Sequence, residues 1–233
     1  MFDLYIANKN YSSWSLRPWV LMKVLEIPFN EHLMPFEGGF GASHDTFIHF
    51  SPSGLVPCLV DEAVDDGLAV WDSLAIIEYL AEQHASVWPR DKAARAWARA
   101  ATAEMHSGFG ALRDECSMNC GVRVALNSLS AKLKADITRL DALWQQGLER
   151  FGGPFLAGEH FTAVDAFYAP VAFRIQTFNL PVSEQSQAYV ERLLALPAMQ
   201  AWYQAALEET WREPMHEDET LKNGTLSADY RHA

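Results

Sequence analysis

Tyr11-Ser12-Ser13-Trp14-Ser15-Leu16-Arg17 joins an apolar strand to a helix, and its flanks decide the fold. Upstream, Phe2 to Ala7 alternates Phe2, Leu4 and Ile6 with polar or small side chains, the period of a strand. Downstream, Leu16, Val20 and Val24 recur at i, i+4 and i+8, with Leu21 and Leu25 beside them, as one apolar stripe of a helix. Pro18 has no N–H to give, which suits a first helical turn and predicts a start near Trp14 or Ser15. Ser12 and Ser13 then fall in the loop or at the cap. Their hydroxyls either cap the helix or sit at its positive end, where a developing anion is favoured.

Outward from that turn, Phe29 to Met34 reads as a second strand. Val56 to Val60 and Leu68 to Trp71 are two more, joined through the turn residues Asp65-Asp66-Gly67. Ser73 opens a helix carrying Leu74, Ile77 and Leu80 at helical spacing. The order predicts a βαβ unit followed by a ββα unit, a mixed four-stranded α/β domain over residues 1–84. A linker at 85–91, containing Trp88-Pro89-Arg90-Asp91, ends the strand signals. An all-α domain over 92–233 should follow. Its helices are expected over Lys92 to Met118, Ser128 to Phe151, Ala163 to Phe178, Glu184 to Leu196 and Ala198 to Trp211. From about 212 the chain reads as an irregular polar tail.

Composition narrows the function. The 233 residues are 49% apolar and 21% charged, which suits an ordinary globular protein with a real core. A net charge of −12 argues against sequence-independent binding to nucleic acid or to an anionic membrane surface. No apolar run reaches the ~20 residues of a membrane span, and no secretory signal is visible, so a cytoplasmic protein is expected. Three cysteines make no disulfide framework, as befits a reducing compartment. Cys116 and Cys120, read as one helical turn apart, are small core residues or a redox pair.

Three further motifs bear on chemistry. In Ser51-Pro52-Ser53-Gly54-Leu55-Val56-Pro57-Cys58-Leu59, Pro57 stands at a strand start. A trans bond there only marks the start. A cis bond turns the Val56 N–H and C=O outward to pair with an extended, peptide-like ligand. In Trp71-Asp72-Ser73-Leu74-Ala75-Ile76, Asp72 and Ser73 cap a helix, or hold the ammonium and carboxylate of a zwitterion. Phe161-Thr162-Ala163-Val164-Asp165 is a capping box, which is folding information.

In this order and spacing, the motifs and the opening loop resemble the soluble, cytosolic-type glutathione transferases from the first strand to about Trp211. The resemblance implies a thioredoxin-like N-terminal domain, a cis Pro57, a helical-bundle C-terminal domain and a homodimer. Ser12-Ser13-Trp14-Ser15-Leu16-Arg17 is most similar to the serine classes, above all zeta with its Ser-Ser-Cys-Ser-x-Arg. By that likeness the catalytic serine falls on Ser12, with Ser13 assisting. Glutathione is the implied co-substrate, with no metal, and Ser12, Leu55, Val56, Pro57, Asp72 and Ser73 are its implied contacts. Where C-x-x-C would stand in glutaredoxins, Ser12 and Ser15 exclude a dithiol cycle.

Trp14, Met105, His106, Phe109, Arg113, Arg174 and Phe178 are the candidates for a co-substrate pocket, although aromatics and Met at helical spacing equally mark a core. The implied activity is attack of the glutathione thiolate on a small apolar electrophile, a detoxifying conjugation. The alternatives are a zeta-type isomerase, or a non-catalytic protein that binds glutathione or apolar ligands. Three departures stand out. Trp14 replaces the zeta cysteine, Leu55 occupies a position where several classes carry Lys or Gln, and Asp72 is one methylene shorter than the usual Glu or Gln. Phe36 to Ser43, rich in glycine, reads as a lid.

Overall fold

The computed structural model describes residues 1–38 and 41–232. Two positions of the expected lid, 39 and 40, lie outside the described residues. The first domain has β1 (Phe2–Ile6), α1 (Ser13–Val24), β2 (Phe29–Leu33), a short α2 (His44–Phe47), β3 (Cys58–Asp61), β4 (Leu68–Val70) and α3 (Ser73–Gln83). The sheet order is β2-β1-β3-β4. β1 and β2 are parallel from Phe2↔Phe29 to Ile6↔Leu33, while β1/β3 and β3/β4 are antiparallel. This is the expected βαβ–ββα sheet of a thioredoxin-like domain. Asp65 and Asp66 both take positive φ before Gly67, which closes the β3–β4 turn.

The register gathers three loops at one end of the sheet. Tyr5 pairs with Cys58, so the loop after β1 lies beside the residues preceding β3. Leu59 pairs with Val70, which brings the start of α3 to the same end.

α1 starts at Ser13, one residue earlier than expected. Pro18 therefore lies inside the helix rather than in its first turn. Its ring removes the bond that would reach the Trp14 carbonyl. Nine of the twelve α1 residues are buried, Ser13 and Ser15 to Met22, so packing sustains the helix across the break.

The second domain is helical: α4 (Lys92–Ser107), α5 (Gly110–Glu115), α6 (Ala131–Phe151), α7 (Ala163–Phe178), α8 (Glu184–Leu194), α9 (Pro197–Glu208) and α10 (Pro214–Leu221). The single helix expected over 92–118 is two. Gly108 ends α4, where a Cβ would stand 2.7 Å from the Glu104 carbonyl oxygen, and Phe109 takes a left-handed φ of 54°. The tail is not irregular. It forms α10 and then β6 (Gly224–Asp229), which pairs antiparallel with β5 (Val122–Leu126). The domain expected to be all-helical thus carries a two-stranded ribbon.

α7 is the axis of the core. Every α7 residue except Gln176 is buried, and α7 packs against α1, α4 and α8. Its start is the expected capping box. The Asp165 carboxylate accepts the Thr162 N–H at 2.9 Å, the Leu156 N–H at 3.0 Å and the Tyr189 hydroxyl at 2.8 Å. Around it lie the fully buried rings of Trp144, Tyr168 and Tyr189.

Candidate active site

The turn after β1 is held from both domains. The Asn8 carbonyl accepts the N–H groups of Tyr11 and Ser12 at 3.1 and 2.8 Å. Asn10 is tied down on every side. Its side chain donates to the Ala206 carbonyl and the Glu209 carboxylate and accepts from the Gly121 N–H, and its own carbonyl accepts the Cys120 N–H. Tyr11 donates its hydroxyl to Glu217 at 2.5 Å, and burial followed by that carboxylate pushes the phenol well above its ordinary range.

Ser12 occupies the N-cap position of α1, yet its side chain does not cap. Its hydroxyl donates to Ser15 Oγ at 2.7 Å, and Ser15 Oγ also accepts the Ala7 N–H at 3.3 Å. The Ser13 hydroxyl accepts from Arg174 Nη2 at 3.3 Å, a bond between domains. Helix capping is therefore not what either hydroxyl does.

The Val56–Pro57 bond is cis, as the resemblance implied. Gly54 precedes it with φ +65°, and a Cβ there would run into the His44 ring. Leu55 is 63% exposed. Val56 lies outside β3, and neither its N–H nor its C=O has a partner among the described residues.

Asp72 combines capping with a second contact. Oδ1 accepts the N–H groups of Leu74 and Ala75 at 3.0 and 3.3 Å, while Oδ2 meets His106 Nε2 at 3.2 Å across the domain boundary. Ser73 is fully buried, and its Oγ accepts from Arg17 Nη1 at 3.4 Å. His106 packs edge-on to Trp14 at 5.4 Å. Burial outweighs Asp72 and keeps the imidazole below its usual pKa, so it is neutral at physiological pH.

Three arginines line this boundary. Arg17 is buried between the Trp14 ring at 4.0 Å and the Phe167 ring at 4.6 Å, and its Nε has no partner among the described residues. Arg113 lies 5.4 Å from the Trp14 centroid and donates to the carbonyls of His106 and Gly108. Arg174 is the third. Burial depresses the Arg17 pKa first, and the charges of Arg174 and Arg113 depress it further, against the opposing pull of Asp72. Such excess positive charge beside hydroxyl donors and a helix N-terminus stabilises an anion.

The structure thus brings Ser12, Ser13, Trp14, Asp72, Ser73, His106, Arg113 and Arg174 to one interdomain boundary. Met105, Phe109 and Phe178 are packed into the hydrophobic core at 1%, 6% and 3% exposure. Arg17, Phe167 and Ser15 join the site unforeseen. The signal for Arg17 was a cation next to the apolar stripe of α1. Cys116 caps the end of α5 and Cys120 lies in the loop before β5, so they do not share a helical turn. Burial pushes the Cys116 thiol up to about 12 and Cys120 higher still, which leaves both inert. A groove of about 770 Å³ beside Trp88, Pro89, Phe155 and Leu196 runs along the linker, and none of the expected site residues line it.

A thioredoxin-like domain with a cis-proline, closed against a helical bundle across a cationic boundary, defines the class. Models of the glutathione S-transferase N-terminal domain match residues 11–83, and those of its C-terminal domain match 95–205. The chain belongs to the glutathione S-transferase family. It is 26% identical over 219 residues to glutathione S-transferase GstB of Escherichia coli K12, covering 86% of this chain and 91% of that protein. It is 31% identical over 191 residues to a probable maleylacetoacetate isomerase of Caenorhabditis elegans, covering 77% and 81% respectively. A Burkholderia glutathione transferase homologue solved with bound glutathione shares the fold, with a TM-score of 0.63, 22% identity and coverage of 88% of this chain and 97% of that one.

Proposed function

We propose that the protein is a glutathione transferase that activates the glutathione thiol at the Ser12–Ser13 turn for attack on a small apolar electrophile. One observation carries the reading. The two hydroxyls stand at the head of α1, and the β1–β3 register brings their loop to the side of the residues before β3, where the Val56 N–H and C=O have no partner among the described residues. Val56 pairs with the cysteinyl backbone as an added strand would. Asp72 and Ser73, at the head of α3, take the γ-glutamyl end, where Asp72 exchanges His106 for the ligand ammonium.

A free thiol titrates near 8.5, and hydroxyl donors, a helix N-terminus and nearby cations bring it toward neutrality. Its proton leaves to solvent. The thiolate then forms a bond to the electrophilic carbon as the leaving group departs with its electron pair. The protein supplies positioning and anion stabilisation. Trp14, His106 and Arg113, each half-buried at the boundary, face the co-substrate. A homodimer in the cytoplasm belongs to the same reading and rests on the family likeness.

A zeta-type isomerase is the second reading, favoured by the Caenorhabditis elegans relative and by Ser12-Ser13-x-Ser15-x-Arg17. Trp14 in the cysteine position speaks against it. Calorimetric titration with glutathione, run beside turnover of aryl halides, epoxides and a cis-enone diacid, separates the cases. Conjugation is expected. Isomerisation without conjugation favours the second reading, binding without turnover favours a carrier, and no binding at millimolar glutathione overturns the assignment.

A further inference from the structure

The two hydroxyls at the head of α1 are not equivalent. Ser12 spends its hydrogen on Ser15 Oγ at 2.7 Å, inside the protein. Ser13 Oγ accepts from Arg174 Nη2 at 3.3 Å, and its own hydrogen has no acceptor among the described residues. Arg174 is itself fixed, with Nε on the Cys116 carbonyl at 2.9 Å and Nη1 on the Pro170 carbonyl at 3.4 Å. It is 4% exposed and makes no ion pair with a carboxylate among the described residues.

A guanidinium buried without an ion-pair partner acts through a low dielectric. By donating into Ser13 Oγ, it draws electron density from the O–H bond and directs the hydrogen away from itself, which makes that hydroxyl the stronger donor. Burial and the Arg113 charge lower the Arg174 pKa to about 10, which still leaves it a cation at neutral pH. The charged and titratable groups around Arg174 are Arg17, Arg113, Cys116, Cys120 and Glu219.

We propose that Ser13, rather than Ser12, donates the hydrogen bond that holds the glutathione sulfur as a thiolate, and that Arg174 is the positioning residue that polarises it. The proposal rests on the glutathione reading above and corrects the choice of serine within it. The thiol proton goes to solvent, the electron pair stays on sulfur, and Ser13 and Arg174 keep their protons. No bond forms between sulfur and protein. A helix of the second domain thereby sets the acidity of a thiol bound by the first.

The test is the pH dependence of thiolate absorbance and of kcat/KM at saturating glutathione, for the wild type, four single variants and one double variant. Ser13→Ala is expected to raise the apparent thiol pKa by about one unit or more, with a tenfold or greater loss of kcat/KM below that pKa. Arg174→Met shifts the profile the same way and adds little in a Ser13→Ala background, while Arg174→Lys restores part of the shift. Ser12→Ala shifts the profile less than Ser13→Ala does. If Arg174→Met does not fold, Ser13→Ala and Arg174→Lys still decide the matter. An equal or larger shift in Ser12→Ala, or an unshifted Ser13→Ala, overturns the proposal and leaves the glutathione reading standing. Failure of the wild type to bind glutathione overturns both.

Discussion

The Glu209 carboxylate, just past α9, accepts the main-chain N–H of Lys9 at 2.6 Å across 200 positions of chain. It also accepts the Asn10 N–H at 3.2 Å and the Asn10 side-chain amide at 3.1 Å. One carboxylate thus holds the turn that presents Ser12 and Ser13. Glu209→Ala strands three buried donors. It is expected to cost about 2–4 kcal/mol of stability and to raise the KM for glutathione, as read by thermal unfolding and steady-state kinetics. Unchanged unfolding would refute the assignment of Glu209 as the brace of the turn.

Tyr11 stands next to Ser12, but its hydroxyl serves the fold. It donates to Glu217, which also receives Asn119 and pairs with Arg231, so α10 and the end of the chain close over the turn. Tyr11→Phe should lose about 1 kcal/mol of stability while conjugation stays within a few-fold of wild type. A hundredfold fall in kcat with normal stability would instead make the phenol the thiol donor.

The first domain was legible in the sequence because each of its signals is local. Phe2, Leu4 and Ile6 alternate and Asp65-Asp66-Gly67 turns, and in the second domain the equally local pair Thr162 and Asp165 caps α7. What escaped depends on distance. Val122 to Leu126 alternates buried with more exposed positions, but its partner strand starts at Gly224, beyond the five helices α6 to α10. The split between α4 and α5 turns on a left-handed Phe109, a state that no residue type announces. Arginines read as surface by default, and Arg17 and Arg174 are buried where the two domains meet. Met105 and Phe178 share the spacing of a pocket wall and of a core, and only packing separates the two.

Asp72 carries two duties that one substitution can separate. Oδ1 caps α3, whereas Oδ2 carries the contact to His106. Asp72→Asn keeps an oxygen for the cap and removes the charge, so unfolding should stay near wild type while the KM for glutathione rises about tenfold, the loss of one charge-assisted hydrogen bond. Asp72→Ala should lose the cap as well, at about 1 kcal/mol. His106→Ala frees Oδ2 and should tighten glutathione binding. Weaker binding in that variant would place His106 on the ligand instead.

Asp165 makes a pH signature of the capping box. The carboxyl is fully buried, and desolvation outweighs its bonds to Leu156, Thr162 and Tyr189, raising its pKa to about 6. Unfolded, it titrates near 4. Between those values the native state binds the extra proton, so the contribution of Asp165 to stability is fully present below about pH 4 and is lost as pH rises through about 6. Asp165→Asn retains an acceptor for the Thr162 N–H but does not titrate. Its unfolding free energy in urea should lack this decline, and the difference between variant and wild type should grow in favour of the variant from pH 4 to 7. A difference that stays constant over that range would show that Asp165 is ionised throughout, its four hydrogen bonds outweighing the burial.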